Sequence, residues 1–360
     1  MFKILFTTDH EIHGNGDGSP IKLLVETTAR TLRLFNRYGA KLTILADAAE
    51  ILKFKEYFAK TGNDIFHYNQ VVEQLREAIR TGHDVQLHLH SSYCKAEYKN
   101  GKWAQDYSEY NLATLTAERI KKIIGEGKEF LESTLKPVDP NYRCTVFRAA
   151  CWSMSPTRNI AAVLQQLGFT IDTSVFKWGK RDNGLVYFDY SDAWSDCIPW
   201  QFDVDNVCRP GSDSGIFEFP IYAEMRPICS FFSLNRLFRV VLSRQHNLLT
   251  EQAFTDAVSQ ATPHASPKVR KNIVNLLLKR QVRKMDYNQC SGPQLVRTLK
   301  RIERKYGTDK RTLPVVLIGH SKLFTRLNAQ SLKSFLSFVK NNPARFEFGK
   351  FNDFDLHSFA

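Results

Sequence analysis

Met1-Phe2-Lys3-Ile4-Leu5-Phe6-Thr7-Thr8-Asp9-His10-Glu11 is the stretch on which the reading of this chain turns. Phe2–Phe6 is a short apolar run that passes into polar and acidic residues, the pattern of a buried strand opening into a rim loop. Gln86-Leu87-His88-Leu89-His90 ends a second such run, Val85–Leu89. Side chains two apart on a strand share a face, so Asp9 and Glu11 can point together, as can His88 and His90. Two carboxylates and two imidazoles at one rim form a site suited to Zn²⁺ or another divalent transition metal. Asp9, His88 and His90 are the expected metal ligands, and the division of ligand and base roles between Asp9 and Glu11 stays open.

Outward from these two runs, short apolar segments alternate with longer amphipathic ones, as in βα units around a parallel sheet. The expected strands are Phe2–Phe6, Lys41–Leu45, Asp84–His88, Thr145–Phe147, Thr170–Asp172, Gly215–Phe219, Pro314–Ile318 and Phe346–Phe348. Helices are expected over Ile21–Tyr38, Asp47–Ala59, Tyr68–Thr81, Thr116–Thr134 and Pro156–Leu167, several bounded by Thr116, Pro156, Gly39, Gly82 or Gly168. Seven or eight such units predict an α/β fold, a distorted (β/α)7-type barrel, with a doubly wound open sheet as the alternative. Residues 177–214, rich in Asp, Trp, Tyr and Gly without a period, read as a long loop region over the site.

From about 233 to 311 the pattern turns helical and basic, with segments Asn235–Leu242, Thr250–Gln260, Pro267–Lys284 and Pro293–Tyr306. This reads as an insertion into a single domain spanning 1–360. Lys268–Lys305 holds twelve Lys and Arg against Asp286 and Glu303, so most of the formal +13 charge sits there. Val269, Ile273, Leu276 and Leu277 form an apolar stripe that leaves Lys271, Lys279 and Lys284 toward water. Such a face suits peripheral contact with an anionic membrane, and nucleic acid is not the favoured partner. A solvated helical face without a partner is the plainer reading.

The chain of 360 residues, 43% hydrophobic, is long enough for a large core. No apolar run reaches the roughly 18 residues of a membrane span. The start reads as a strand and not a signal peptide, and the seven cysteines include no CxxC pair, so a cytoplasmic protein with reduced thiols is expected.

Strand ends supply the other candidates, because sites in parallel α/β folds gather where strand C-termini open into loops. Arg148, in Phe147-Arg148-Ala149-Ala150-Cys151-Trp152, can orient a carboxylate, and Trp152 offers a ring for a sugar to stack on. His320, ending Leu313–Ile318-Gly319-His320, is placed to act as general acid. Tyr93, Trp178 and Trp194 complete the expected substrate contacts, with Trp103, Tyr107 and Trp200 as further loop aromatics. His83, before its strand and at the opposite end, reads as structural, and Gly14–Gly18 reads as a flexible rim loop.

These residues, in this order, resemble the polysaccharide deacetylases, the NodB-like carbohydrate esterases of family 4. The resemblance covers roughly Met1–Tyr222 and Pro314–Phe324 and leaves out the basic insertion. Thr7-Thr8-Asp9-His10-Glu11 stands where that family has Thr-Phe-Asp-Asp-Gly, Gly82-His83-Asp84 through His88 stands for its second motif, Arg148 and Trp152 for its third, and Leu317–His320 for its last. Two departures are plain: His10 replaces the metal-binding second Asp, and the residue four after His88 is Ser92, so His90 is a ligand by strand geometry alone. The resemblance implies metal-assisted removal of an N-acetyl group from an amino sugar of a surface polysaccharide, its precursor or a sugar nucleotide. Two rivals follow from the same residues: a metal-independent glycoside hydrolase using Asp9 and another carboxylate such as Asp172, and a silent glycan-binding or assembly protein.

Overall fold

The computed structural model describes residues 1–231 and 280–359. Ten strands form its main sheet: β1 (Phe2–His10), β2 (Leu42–Asp47), β3 (Asp84–Leu89), β4 (Val146–Ala149), β5 (Ile171–Asp172), β6 (Trp200–Asp203), β7 (Asn206–Pro210), β8 (Phe217–Glu218), β9 (Leu313–His320) and β10 (Phe346–Phe348). Their order is β7-β6-β8-β5-β4-β3-β2-β1-β9, with β10 also on β1. All pairs are parallel except those made by β6. The sheet curls until Ile221, just after β8, meets Val316 of β9 in a single bridge, with Tyr222 N–H donating to the Val316 carbonyl at 3.0 Å. The result is a curled, distorted half-barrel, not the doubly wound open sheet.

Strand β1 pairs with β2, β9 and β10, and its apolar run is buried almost throughout, as in a parallel strand covered on both faces. Phe6 packs against the rings of Phe35, Tyr287, Phe335 and Phe348 at 4.6–6.2 Å between centroids. Truncating Phe6 to Ala would cost about 3–5 kcal/mol and loosen the strand that carries Asp9.

Helices α1 (Glu26–Tyr38), α2 (Ala48–Thr61), α3 (Tyr68–Arg80), α4 (Ala117–Leu135) and α5 (Thr157–Gln166) flank the sheet where the sequence places helices. The first expected helix is divided: Ile21–Val25 forms a wider π-type turn before α1 begins. Asp47 caps α2 by accepting from Glu50 N–H, and Thr116 caps α4 by accepting from Arg119 N–H. Gly39 ends α1 at φ +72°, a left-handed conformation that glycine adopts without strain.

Two departures bear on the site. The expected helix Pro267–Lys284 is corrected at its end, since Arg280–Lys284 is a strand paired antiparallel with Ala223–Pro227, Ala223 opposite Lys284. Arg283 reaches across this pair to Glu224 at 2.6 Å, and Arg301 grips the same carboxylate, so cross-strand charge pairing overrides helical spacing. Lys284 is half-buried, with Nζ 3.3 Å from the Trp152 ring centroid, instead of pointing to water. The rest of that segment, with Asn235–Leu242, Thr250–Gln260, Val269, Ile273, Leu276, Leu277, Lys271 and Lys279, lies outside the described residues.

Helix α6 (Gly292–Tyr306) matches the expected Pro293–Tyr306 and buries Leu295, Leu299 and Ile302 in the main core. Helix α7 (Arg326–Lys340) has no counterpart in the sequence reading; its capping box uses Thr325 and Asn328. No helix among the described residues is long and apolar enough to cross a membrane.

Candidate metal centre and catalytic rim

Parallel pairing sets the site. Asp9 on β1 lies opposite His320 on β9, Asp47 on β2 opposite His88 on β3, and His88 opposite Arg148 on β4. Five strand ends therefore deliver their polar side chains at nearly one level. His10, between the two carboxylates, turns to the other side, where Nε2 lies 3.4 Å from Gln74 Oε1 of α3. Burial pushes His10 down to about 4, so it is neutral and structural.

Glu11, His88 and His90 form a compact donor group, each offering one ligand atom, all within 4.8 Å of one another. Glu11 Oε2 is 3.3 Å from His88 Nε2 and 3.1 Å from His90 Nδ1. Neither approach has hydrogen-bond geometry, so Oε2 is a buried oxygen without a donor. His88 Nδ1 lies 2.9 Å from the Arg148 carbonyl, which fixes the proton there and leaves Nε2 as the donor atom. His90 Nδ1 is also held by Asp47 Oδ2 at 2.8 Å, so metal binding through it must displace that proton. One carboxylate and two imidazoles, with an orphaned oxygen aimed among them, fit a divalent transition metal. The donor set differs from the sequence-based one: Glu11 stands with the histidines, and Asp9 does not.

Asp9 instead belongs to a second cluster. Arg148, fully buried, donates through Nη1 to Asp9 Oδ1 at 2.7 Å and to Thr7 Oγ1 at 3.0 Å, and through Nε to the Thr173 carbonyl at 2.8 Å. Asp9 Oδ2 lies 3.6 Å from His320 Nε2. Burial pushes the Asp9 carboxyl up, but Arg148, then His88 and His320, more than offset it, leaving the group ionised.

Charge pairing governs the metal group too. Burial pushes Glu11 up, yet Lys322, whose Nζ sits 2.8 Å from Oε1, and the two histidines hold it well below the usual range. Burial disfavours protonated His88 and His90, and is outweighed for His88 by Glu11 and Asp9, and for His90 by Glu11 and Asp47, so both are raised. At His320 burial, aided by Lys322, prevails over Asp9 and Glu11 and pushes it down to about 4.

The expected substrate residues divide. Trp152 is half-buried at the rim, 6.3 Å from the His320 ring and nearly perpendicular to it. Tyr93 is buried, its hydroxyl without a partner. Trp178 is half-buried at φ +65°, with its backbone N–H donating to the Tyr190 carbonyl, and exposed Trp194 packs on Trp200. Trp103 belongs to a cluster with Phe54, Tyr57, Phe66 and Tyr98. Asp172 turns into Ser174, accepting from its N–H and hydroxyl, so it does not join Asp9.

Three groups were missed. Asp47 was readable, since it ends the second strand as Asp9 ends the first. Lys322 follows His320 by two residues, but its reach to Glu11 is tertiary. Cys151, at φ +53°, bonds Tyr110 through its thiol at 3.2 Å and lies against His90. All seven cysteines are free thiols.

No family model matches the chain, and no curated protein matches it in sequence. Solved structures do. A candidate glycoside hydrolase/deacetylase from Parabacteroides distasonis superposes over 98% of this chain and 69% of its own, with a TM-score of 0.55 at 11% identity. A candidate polysaccharide deacetylase from Mycobacterium smegmatis covers 98% and 87%, at 0.48 and 14%, and the allantoinase PuuE covers 98% and 88%, at 0.47 and 11%. At such identities the likeness is one of fold, the half-barrel of the glycoside hydrolase/deacetylase kind.

Proposed function

We propose that this protein is a metal-dependent hydrolase that removes an N-acetyl group from an amino sugar in a polysaccharide, its precursor or a sugar nucleotide. The observation that carries this reading is the adjacency of two clusters at one rim: Glu11, His88 and His90 as a donor group, and Asp9 gripped by Arg148 with His320 beside it.

Glu11, His88 and His90 would hold a divalent ion, of which zinc best suits one carboxylate and two imidazoles. Bound there, such an ion polarises the acetyl carbonyl and acidifies a water. Asp9 takes the proton from the attacking water, and Arg148 keeps its Oδ1 occupied so that Oδ2 faces the reaction. His320, neutral and next to Oδ2, receives that proton and passes it to the departing amine. The atoms balance: water adds to the acyl carbon, the C–N bond breaks, and acetate and amine leave.

Of the carboxylates a glycosidase could pair with Asp9, Asp172 is engaged by Ser174, which argues against that pair. The test is acetate release from N-acetylated oligosaccharides and UDP-N-acetylglucosamine, with chelator and with added zinc. Release that requires metal and disappears in His88→Ala/His90→Ala supports the reading. Metal retention without any release returns the chain to a glycan-binding role.

A further inference from the structure

Beyond β9 the chain returns once more along the sheet. Asp286 bridges Ile318 in parallel, with Ile318 N–H donating to the Met285 carbonyl at 3.1 Å and Tyr287 N–H to the Ile318 carbonyl at 3.0 Å. In a regular parallel ladder the His320 N–H would next donate to the Tyr287 carbonyl. The chain turns away instead, with the Gln289 and Cys290 N–H groups donating to the Asp286 carbonyl at 3.2 and 2.8 Å. The Asn288 side chain takes over the missing rung, its Oδ1 accepting from His320 N–H at 2.6 Å. Asn288 is 1% exposed, and its own main chain is pinned on both sides. Its N–H donates to Asp286 Oδ1, and its carbonyl accepts from Asn328 Nδ2 in the first turn of α7, each at 2.8 Å. Beside it the Tyr287 ring packs so tightly on Gly319 that a Cβ there would stand 2.2 Å from the ring, and Tyr287 Oη donates to the Thr7 carbonyl at 3.1 Å. Nδ2 of Asn288 is buried without a partner, as is Nδ1 of His320. An apolar residue would spare the fold that unpaired donor, so what the asparagine provides is a placed oxygen.

Placement matters for His320 more than for its neighbours on β9. Its register partner is Asp9, its Nε2 lies 3.6 Å from Asp9 Oδ2, and the Trp152 ring stands nearly perpendicular to it at 6.3 Å. A proton moves from Asp9 to the departing amine only if Nε2 keeps within hydrogen-bond reach of both. We propose that Asn288 is a positioning residue for His320: by ending the ladder with a side chain, it fixes the last residue of β9 so that Nε2 stays beside Asp9 Oδ2 and faces the departing amine. This rests on the deacetylase reading and adds to it the residue that aims its general acid.

Two substrates tested on the zinc-loaded full chain separate aim from fold. Tetra-N-acetylchitotetraose releases an amine that must be protonated, whereas 4-nitrophenyl acetate releases a phenolate that leaves without a proton. N288A should lower kcat for the amide about 10–100-fold, part of what a general acid contributes, with a loss at least about tenfold smaller for the ester. KM and zinc content should stay within about twofold of wild type. N288D keeps an accepting oxygen at that place and should recover most of the amide rate, which separates a lost oxygen from a lost fold. N288A/H320A should be no slower than H320A, because a residue that acts through His320 then has nothing left to aim. Ring NMR signals of His320, identified by their loss in H320A, need no turnover: the single set of the wild type should become doubled or exchange-broadened in N288A. Equal loss on amide and ester, additive losses in the double variant, or His320 signals that N288A leaves unchanged overturns the positioning role. A wild type that releases acetate from neither substrate sinks the deacetylase reading instead, and the NMR comparison alone then decides whether Asn288 holds His320.

Discussion

Strand β3 carries buried histidine and carboxylate chemistry at both ends, and the two ends behave oppositely. At its start, His83 accepts the Leu42 N–H at Nδ1 and meets Asn36 Oδ1 at Nε2, and burial with nearby Lys41 pushes it down to about 4. Asp84 beside it is pushed up by burial to about 6. Both ends are shielded from water, yet at the far end His88 and His90 are raised and Glu11 is depressed. The difference is how much opposing charge is within reach: at the start of the strand Lys350 acts on Asp84 but burial outweighs it, and the cations there only disfavour protonated His83. Burial alone neutralises side chains, whereas burial among converging partners keeps them ionised and reactive.

The sharpest way to break this comparison is within the reactive end itself. Glu11→Gln should abolish zinc retention, since no other group supplies its oxygen, whereas Asp9→Asn should retain about one zinc per chain and lose turnover by about 10²–10⁴-fold. Elemental analysis beside an acetate assay reads both. If Asp9→Asn loses the metal and Glu11→Gln keeps it, the division of roles drawn from the geometry is reversed.

Arg148→Lys comes next in size. A lysine keeps the charge but cannot serve Asp9, Thr7 and Thr173 together, so turnover should fall about 10–100-fold with zinc still bound. Unchanged turnover would take Arg148 out of the mechanism.

Zinc affinity should also depend on pH, with a sign fixed by the histidines. His88 and His90 are raised above 6.5, so their imidazolium forms stabilise the metal-free fold below that value, and this contribution is lost as pH rises through the raised values. Zinc competes with those protons. Affinity should therefore strengthen with rising pH, by about tenfold per unit for each proton displaced. A flat profile between pH 6 and 8 would show that the two rings bind no proton for the metal to expel.

Much of the reactive end was legible from sequence, because apolar runs ending in polar side chains mark strand C-termini. All eight expected strands are present, and the His88/His90 pair follows from the period of two. What decides between Asp9 and Glu11 is tertiary: Arg148 comes from another strand and grips only one of them. Lys284 was misread for a related reason. The helical spacing of residues 269–277 was carried on to 284, but pairing with Ala223–Pro227 makes the last five residues extended. Trp103, read as a loop aromatic, is drawn into a cluster assembled from α2 and the chain after it, which no local pattern reveals.

The smallest effect lies at the quiet end of β3 and gives the comparison its sign test. Asp84 Oδ1 accepts from Val85 N–H and Gln86 Nε2, while Oδ2 is buried without a partner. Its folded pKa, about 6, is above the unfolded 3.8, so the ionised group costs stability above about pH 6, and the cost disappears as pH falls below 3.8. Asn keeps the accepting oxygen and removes the charge, so Asp84→Asn should stabilise the fold by roughly 1–3 kcal/mol at pH 7.5 and by almost nothing at pH 4. His83 is unchanged in both proteins, so its own acid titration cancels from the difference. Urea unfolding at the two pH values measures it, and an equal shift at both would mean that the Asp84 charge is not what the fold resists. The same change at the other end, Asp9→Asn, should destabilise by about 1–3 kcal/mol at pH 7.5, because there the charge has Arg148 to hold. One substitution type with opposite signs at the two clusters is the thermodynamic form of the difference between them.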